Sequence, residues 1–121
     1  MKIGICGVGN MGRNHLRICK RLEKTVDDFE IFAIYDPEYE DKQKFFDSVK
    51  NMDAVIIASP SKSHVDVSVE LLQINKNLKI LIEKPIDDDI EKAKLLLPYK
   101  KNISVGHIER FNPAVKKVKS L

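Results

Sequence analysis

Residues 1–12 read MKIGICGVGNMG, an apolar run that leads directly into the pattern Gly-x-Gly-x-x-Gly at Gly7, Gly9 and Gly12. The apolar run is typical of a β-strand, and the residues that follow the glycines are typical of an amphipathic helix. The next strand-like segment ends at Asp36. A strand, a glycine loop, a helix and an acidic residue in this order predict an α/β unit that binds a dinucleotide.

Each part of the glycine loop has a separate expected role. Gly7 allows the tight turn out of the strand, Gly9 lets the backbone approach a pyrophosphate, and Gly12 lets the helix pack closely on the sheet. The helix begins near Asn10 and Met11, so its free N–H groups and positive dipole end point toward the phosphates. The alternative is a glycine-rich turn that binds no ligand.

Asp36 predicts which dinucleotide is bound. Its carboxylate accepts hydrogen bonds from a ribose diol and repels a 2′-phosphate. Pro37 follows at a place where an arginine would favour that phosphate. We therefore expect NAD as the cofactor, with NADP less favoured.

The composition is that of an ordinary globular protein. The chain has 121 residues, which suits one domain over residues 1–121, with 43% hydrophobic and 32% charged residues. The net charge of +3 is too small to indicate nucleic-acid binding, and the small cluster Lys116, Lys117 and Lys119 is expected to be a solvated helix face.

The two cysteines and the absence of long apolar runs indicate the cellular compartment in which the protein is expected. The spacing of Cys6 and Cys19 predicts neither a metal site nor a disulfide framework, which favours a reducing cytoplasm. No segment resembles a signal peptide, and no apolar run approaches the length that spans a bilayer. We therefore expect no membrane association.

Strand and helix patterns alternate along the chain. The strands are predicted at residues 2–6, 30–35, 53–58, 79–83 and 102–107. The helices are predicted at residues 10–22, 38–49, 63–75, 87–97 and 113–121. The first helix is expected to place one apolar stripe on the sheet, formed by Met11, His15, Ile18, Cys19 and Leu22.

This alternation predicts a Rossmann-like, doubly wound parallel sheet of the α/β class. Right-handed crossovers place the third strand beside the first, on the side away from the second. The predicted strand order is 2-1-3-4-5, and the ligand crevice then lies at the carboxyl ends of strands one and three.

Three further motifs follow the ends of strands three, four and five. They are Ser59-Pro60-Ser61-Lys62-Ser63-His64, Glu83-Lys84-Pro85 and Gly106-His107-Ile108-Glu109-Arg110-Phe111-Asn112-Pro113. The carboxyl ends of parallel strands share one edge of a sheet, so all three motifs are expected on the crevice side.

Taken in order, the five motifs resemble the amino-terminal domain of the glucose–fructose oxidoreductase and inositol dehydrogenase family, Gfo/Idh/MocA. The resemblance covers almost the whole chain, and the ordered combination is far more specific than any single motif. The sequence of residues 106–113 resembles that of the branch that acts on nucleotide-linked amino sugars, such as the UDP-N-acetylglucosamine 3-dehydrogenases.

The resemblance implies an NAD(P)-dependent oxidation or reduction of a sugar or polyol hydroxyl. It adds to the glycine loop and Asp36 a set of cofactor-site residues, namely Ser59, Pro60, His64, Glu83, Lys84 and Arg110. Lys84 is implied to be the catalytic residue beside the nicotinamide, where an ammonium group can hydrogen-bond a sugar hydroxyl or polarise a carbonyl. Arg110 is implied to steady charge on the substrate or cofactor.

Several of these residues have simpler alternative roles. Lys84 is otherwise a surface lysine at a strand end. Separately, the peptide bond between Lys84 and Pro85 is expected to be cis. His64 is otherwise a residue that hydrogen-bonds its own loop, and the structural role is the favoured one for His107. Glu109 and Arg110 are otherwise a solvated ion pair of little energetic weight.

The chain departs from the family pattern in two places. Only a short stretch separates Asp36 from Asp53, which leaves room for one helix but not for the additional edge strand of the family. Strand two is then the sheet edge, with a more open adenine pocket. The family also continues into a substrate-binding domain, which the 121 residues do not include.

Three functions are therefore open at this point. The chain is the NAD-binding domain of a sugar dehydrogenase, incomplete as a catalyst alone and either a fragment or a naturally short protein. Alternatively, it is a non-catalytic NAD-binding or sensor module that works with a separate partner subunit. The third option is a small reductase that completes a sugar or nucleotide-sugar pocket across a homodimer.

Overall fold

A computed structural model of the chain describes residues 1–36 and 41–121. The strands are β1 (Lys2–Cys6), β2 (Glu30–Tyr35), β3 (Ala54–Ile57), β4 (Lys79–Ile82) and β5 (Ile103–Val105). The helices are α1 (Asn10–Leu22), α2 (Lys42–Ser48), α3 (His64–Ile74), α4 (Ile90–Ala93) and α5 (Pro113–Lys119). Short 3₁₀ turns cover Val49–Asn51, Ser61–Ser63, Lys94–Tyr99 and Ile108–Phe111.

The five strands form one parallel sheet in the order β2-β1-β3-β4-β5, which confirms the predicted topology. Strand β2 lies at the edge, and no strand within the described residues pairs with its outer side. The short connection after Asp36 therefore leaves an edge strand, as the spacing to Asp53 predicted.

The register of the sheet aligns the carboxyl ends of its strands. Cys6 of β1 pairs with Ile57 of β3, and Ile57 pairs with Ile82 of β4. On the outer sides, Tyr35 pairs with Cys6 and Val105 pairs with Ile82. The residues that follow these strands therefore emerge side by side along one edge of the sheet.

Apolar side chains cover both faces of the sheet, which explains why the central strands are apolar without alternation. The smaller core joins Ile5, Val8, Leu16 and Cys19 beneath α1. The larger core lies on the other face and includes Phe45 and Phe46 of α2 and Val65, Leu71 and Leu72 of α3. Two-sided coverage of this kind is what a doubly wound sheet requires.

Helix α1 has the predicted bounds, but of the predicted apolar stripe only Cys19 is buried. Met11 and Ile18 are 43% and 46% exposed, whereas Gly12, Leu16 and Cys19 are buried. Gly12 must face the sheet because it packs against the glycine loop, and the positions four and seven residues later then face inward with it. Close packing at one glycine therefore sets the rotation of the whole helix.

Helix α2 is shorter than the predicted helix over residues 38–49. It begins at Lys42 because Asp41 caps it, with its Oδ1 accepting the N–H groups of Gln43 and Lys44 at 2.7 and 3.4 Å. The predicted start, at residues 38–40, and Pro37 lie outside the described residues. The predicted inward positions Phe45, Phe46 and Val49 are buried.

The predicted helix over residues 87–97 is also different in the structure. Asp89 caps the helix through the N–H of Glu91, so α4 begins at Ile90 and lasts one turn before it tightens into the 3₁₀ segment Lys94–Tyr99. Pro98 lies inside that segment and does not stop it. The aspartates hydrogen-bond nearby backbone groups, which delays the start of the helix.

The remaining differences are at element ends. Strands β3, β4 and β5 are shorter than predicted by one or more residues, and α3 follows a 3₁₀ turn instead of beginning at Ser63. Helix α5 begins at Pro113, as predicted, with Asn112 as its cap. Within the described parts of the chain, no helix has the length and apolar character needed to cross a bilayer.

Candidate functional site

The glycine loop joins β1 to α1 and leaves no room for side chains at two of its positions. Gly7 has a φ of +91°, and a Cβ placed there would lie 2.5 Å from the backbone nitrogen of Ser59. A Cβ on Gly12 would lie 1.9 Å from the carbonyl oxygen of Gly7. A Cβ on Gly9 would meet no atom within 4 Å, so this face of the loop is open to a ligand.

Asp36 lies beside this loop at the end of β2. The backbone N–H of Gly7 donates to the carbonyl oxygen of Tyr35 at 2.7 Å, and the N–H of Val8 donates to Oδ2 of Asp36 at 3.0 Å. Asp36 is half-buried. The carboxylate therefore orders the loop and stands at one end of it, where it can also accept hydroxyl groups.

A cleft of about 620 Å³ opens along the carboxyl edge of the sheet. Its lining includes nine of the predicted site residues: Gly7, Gly9, Met11, Asp36, Ser59, Pro60, His64, Glu83 and Lys84. The strand register explains this juxtaposition, because the residues come from the segments after β1, β2, β3 and β4. The Lys84–Pro85 bond is cis, as predicted.

A smaller cavity of about 260 Å³ continues the cleft at the Asp36 end. It shares Gly7, Asp36, Ser59 and Pro60 with the larger cleft. Its remaining wall is formed by Cys6, Tyr35, Lys42, Ser63 and Val67. Together the two cavities form an elongated groove that runs from the edge strand β2 toward β4.

His64 is buried and joins two loops of the cleft. Its Nδ1 lies 2.8 Å from the carbonyl oxygen of Pro85, and its Nε2 lies 2.7 Å from the carbonyl oxygen of Ser59. Both partners are acceptors, so the ring donates to both only when each nitrogen carries a proton. The contact with Ser59 lies within its own loop, as in the alternative role above, whereas the contact with Pro85 reaches the loop after β4.

Glu83 and Lys84 lie at the end of β4. Glu83 is buried, and its Oε1 lies 2.6 Å from Nε2 of His15 on α1. Lys84 directly follows and has an exposed side chain. The sequence interpretation included His15 only in an apolar stripe, because no local pattern connects two residues that are 68 positions apart.

Three predicted site residues do not line the cleft. Asn10 is exposed at the start of α1, and Gly12 is buried beneath the loop. Arg110 lies in a second cavity of about 640 Å³, which is also lined by Glu83, His107 and Phe111. Within the part of the chain that the structure describes, no three side chains are grouped so as to hold a metal ion.

Both cysteines are buried and free. Burial raises the pKa of the Cys6 thiol to about 12, while a hydrogen bond with Ser59 opposes this shift. Burial likewise raises the pKa of Cys19. Both thiols are therefore protonated at neutral pH and serve as apolar side chains rather than as nucleophiles.

The open glycine loop, the helix that follows it and the acidic end of β2 define a dinucleotide-binding α/β domain. Comparison with known families agrees: the Gfo/Idh/MocA model, described as an oxidoreductase family with an NAD-binding Rossmann fold, matches residues 1–105. The chain belongs to the Gfo/Idh/MocA oxidoreductase family and contains its NAD-binding domain.

Curated relatives have similar sequences over almost all of this chain. The UDP-N-acetylglucosamine 3-dehydrogenase of Acidithiobacillus ferrooxidans is 30% identical over a gapped alignment of 125 positions, which covers 95% of this chain and 39% of that protein. The rhizopine catabolism protein MocA of Rhizobium meliloti is 28% identical over a gapped alignment of 135 positions, which covers 98% of this chain and 41% of that protein. The chain therefore spans about 40% of the length of these relatives.

Solved structures match the fold. The scyllo-inositol dehydrogenase of Lactobacillus casei with bound NAD(H) and scyllo-inositol superposes with a TM-score of 0.70 at 26% identity, over 100% of this chain and 40% of that one. The WlbA dehydrogenase of Bordetella pertussis, in complex with NADH and UDP-GlcNAcA, gives a TM-score of 0.80 over 99% of this chain and 41% of that one. At 22% identity, this second match supports the fold alone.

Proposed function

We propose that residues 1–121 work as one domain, that they bind NAD in preference to NADP, and that they serve a dehydrogenase acting on a sugar or nucleotide sugar. The bound NAD would supply the hydride acceptor or donor for a hydroxyl-bearing carbon. The observation that carries this proposal is the single cleft that brings together the open glycine loop, Asp36 and the Glu83-Lys84 turn.

The residues present fit a dinucleotide along the groove. A Cβ on Gly9 would project into open space at the start of α1, where the N-terminal N–H groups of the helix attract a pyrophosphate. Asp36 at the β2 end suits the ribose of the adenosine half. With the adenosine half at β2, the nicotinamide half would extend along the groove toward β4, where Glu83 and Lys84 lie.

Lys84 is the residue that we propose for catalysis. Its side chain is exposed at the β4 end of the cleft, where a substrate can reach it. An ammonium group there can hold a substrate hydroxyl by a hydrogen bond and take part in moving its proton. The other groups that complete the substrate pocket are expected from residues that do not belong to this domain, since the named relatives are more than twice as long.

The proposed cofactor preference predicts a clear result with Asp36→Ala. Wild-type protein should bind NADH more tightly than NADPH, because the carboxylate accepts ribose hydroxyls and repels a 2′-phosphate. Loss of a charged hydrogen-bond acceptor should weaken NADH binding by about tenfold to a hundredfold, as expected for 1.5–3 kcal/mol. The ratio of the NADPH to the NADH dissociation constant should also fall, and NADH fluorescence titration measures both.

Glu30→Ala is the matched control, because Glu30 is exposed at the opposite end of the same strand. It should leave both dissociation constants within a factor of two. Absence of NADH binding at millimolar concentration would remove the proposed function. Equal affinity of the wild-type protein for NADH and NADPH would remove the cofactor preference alone.

Lys84→Ala tests the proposed catalytic role. In a protein or complex that joins this domain to the residues completing the substrate pocket, the substitution should lower kcat/KM for NAD-dependent turnover of inositol or UDP-N-acetylglucosamine at least about a hundredfold, which is typical for loss of a general acid or base. The NADH dissociation constant should change less than about threefold. Lys62→Ala, an exposed lysine in the loop after β3, should leave the rate unchanged. Unchanged turnover in Lys84→Ala would exclude the role.

A non-catalytic NAD-binding module that works with a separate polypeptide is the second candidate. It is favoured by the apolar side chains of Ile108 and Phe111 before α5 and of Val118 near its end, which are 64%, 75% and 71% exposed. A wild-type chain that binds NADH and forms a stable complex with a separate polypeptide, without sugar turnover in that complex, would support it. Native mass spectrometry would then distinguish a monomer, a homodimer and a complex with a partner.

We also propose a cytoplasmic location. The support is the presence of two free cysteines on opposite faces of the sheet, buried in an otherwise apolar core. Such thiols are stable in a reducing compartment.

A further inference from the structure

A histidine–glutamate pair joins α1 to the end of β4. His15 Nε2 lies 2.6 Å from Glu83 Oε1. The Glu83 side chain is only 7% exposed and the His15 side chain 19%. A charged group this deeply buried costs free energy unless a partner satisfies it, so the pair fixes both side chains.

The Glu83 carboxyl group is held from two further directions. Its Oε2 accepts the backbone N–H of Lys84 at 3.3 Å. Gly106, directly after β5, approaches so closely that a Cβ there would lie 3.2 Å from three atoms of the carboxyl group. The carboxylate thus has little freedom, and His15 is the side chain that meets it from α1.

The pair also stands between two cavities. Glu83 lines both the cofactor cleft and the second cavity, while His15 lines only the second. Replacing His15 therefore removes the side chain that contacts the Glu83 carboxyl group from α1, while every residue that lines the cleft stays in place. The adenosine end of the groove, at Asp36, lies across two strands from this pair.

We propose that His15 is a positioning residue: through Glu83 it holds the Glu83-Lys84 turn in place for the nicotinamide half of the cofactor. The inference rests on the proposed binding of NAD. Helix α1 carries His15 five residues after Asn10, its first residue, so the pair ties the phosphate-binding end of this helix to the β4 turn. A fixed separation between these two points is what a ligand that spans them requires.

The comparison of NADH with ADP-ribose tests this role. ADP-ribose has the adenosine, both phosphates and both riboses, but it lacks the nicotinamide ring. His15→Ala should weaken NADH binding about tenfold and leave the ADP-ribose dissociation constant within about twofold. Isothermal titration calorimetry measures both ligands on the same protein preparation.

Two further variants sharpen the comparison. His15→Gln places an amide nitrogen near the position of the ring Nε2 and should restore most of the NADH affinity. His15→Asn stops short of Glu83 and should behave like His15→Ala, and it replaces that variant in the comparison if the alanine protein does not fold. His107→Ala removes an exposed histidine of the second cavity and should change neither ligand's affinity.

The outcomes are distinguishable. Equal weakening of NADH and ADP-ribose would mean that His15 only stabilises the fold, and it would overturn the inference. Unchanged NADH binding in His15→Ala and His15→Asn would overturn it as well. Wild-type protein that binds neither ligand would instead overturn the proposed function, and this inference would be lost with it.

Discussion

Gly12→Ala is expected to lower the free energy of unfolding by more than about 4 kcal/mol, which is the range of the most damaging single substitutions. The added Cβ would lie 1.9 Å from the carbonyl oxygen of Gly7 and 2.7 Å from its carbonyl carbon. Both are backbone atoms of the loop, so no side-chain movement relieves the clash. Helix α1 must therefore move away from the sheet, and this movement opens the core around Leu16 and Cys19.

Thermal and urea unfolding followed by circular dichroism measure this loss. For a domain of this size, a change of 4 kcal/mol corresponds to a fall in Tm of about 15 °C. NADH binding should be lost together with stability, because the same movement displaces the N-terminus of α1. A fall in Tm of less than 3 °C corresponds to a loss of less than about 1 kcal/mol of unfolding free energy. Such a small change in the Gly12→Ala protein would contradict the close packing of Gly12 on the loop.

Gly9→Ala is the matched control on the same loop. Its backbone has a φ of −67° and a ψ of −157°, which other residues adopt, and its Cβ would meet no atom within 4 Å. Stability should therefore change by less than about 1 kcal/mol. The methyl group should nevertheless weaken NADH binding tenfold or more, since it would occupy the space proposed for the pyrophosphate.

The order of the strands was predictable because it follows from two general rules, the coverage of apolar strands on both faces and the right-handed crossover. An apolar, non-alternating strand such as Ala54–Ile57 must be covered on both faces, and right-handed crossovers then leave few arrangements. The same reasoning predicted the position of the site. Once parallel strands are in register, the segments after β1, β2, β3 and β4 meet at one edge whatever their side chains are.

The details of the helices were less predictable because tertiary contacts override local pattern. The apolar residues Met11 and Ile18 favour one rotation of α1, but the contact between Gly12 and the loop imposes another. In the segment after β4, adjacent aspartates offer several possible caps. The structure uses Asp89, while Asp87 accepts the backbone N–H of Asp89.

The site itself was predicted through motifs and not through contacts. The glycine loop, Asp36 and Lys84 have recognisable neighbours in the sequence. No sequence motif indicates the bond between His15 and Glu83, because this bond depends on how closely helix α1 packs on the sheet near the end of β4. Arg110 belongs to a recognisable motif, but it lies on the 3₁₀ turn after β5 and lines the second cavity.

His64→Ala is expected to cost about 3 kcal/mol of unfolding free energy. His64 is 2% exposed, so its removal leaves a cavity beside α3, and the carbonyl groups of Ser59 and Pro85 lose their partners. The cavity and the loss of a hydrogen bond from the ring to one of these carbonyl groups each contribute on the order of 1–3 kcal/mol, offset in part by water that reaches the carbonyl groups.

The same substitution should loosen both walls of the cofactor cleft. Ser59 follows β3 and Pro85 follows β4, and His64 is the side chain that connects their carbonyl oxygens. NADH affinity should therefore fall more than fivefold even at temperatures where the protein stays folded. This loss should affect ADP-ribose too, because the loop after β3 also lines the Asp36 end of the groove.

His64→Asn separates the two contributions. Its amide nitrogen approximates the position of Nδ1, so the bond to Pro85 can be kept while the bond to Ser59 is lost, and the expected cost is about half that of His64→Ala. His107→Ala controls for removal of an exposed histidine and should change stability by less than about 0.5 kcal/mol. Urea unfolding measures all three variants, and a cost below 1 kcal/mol for His64→Ala would show that the two loops hold their positions without this ring.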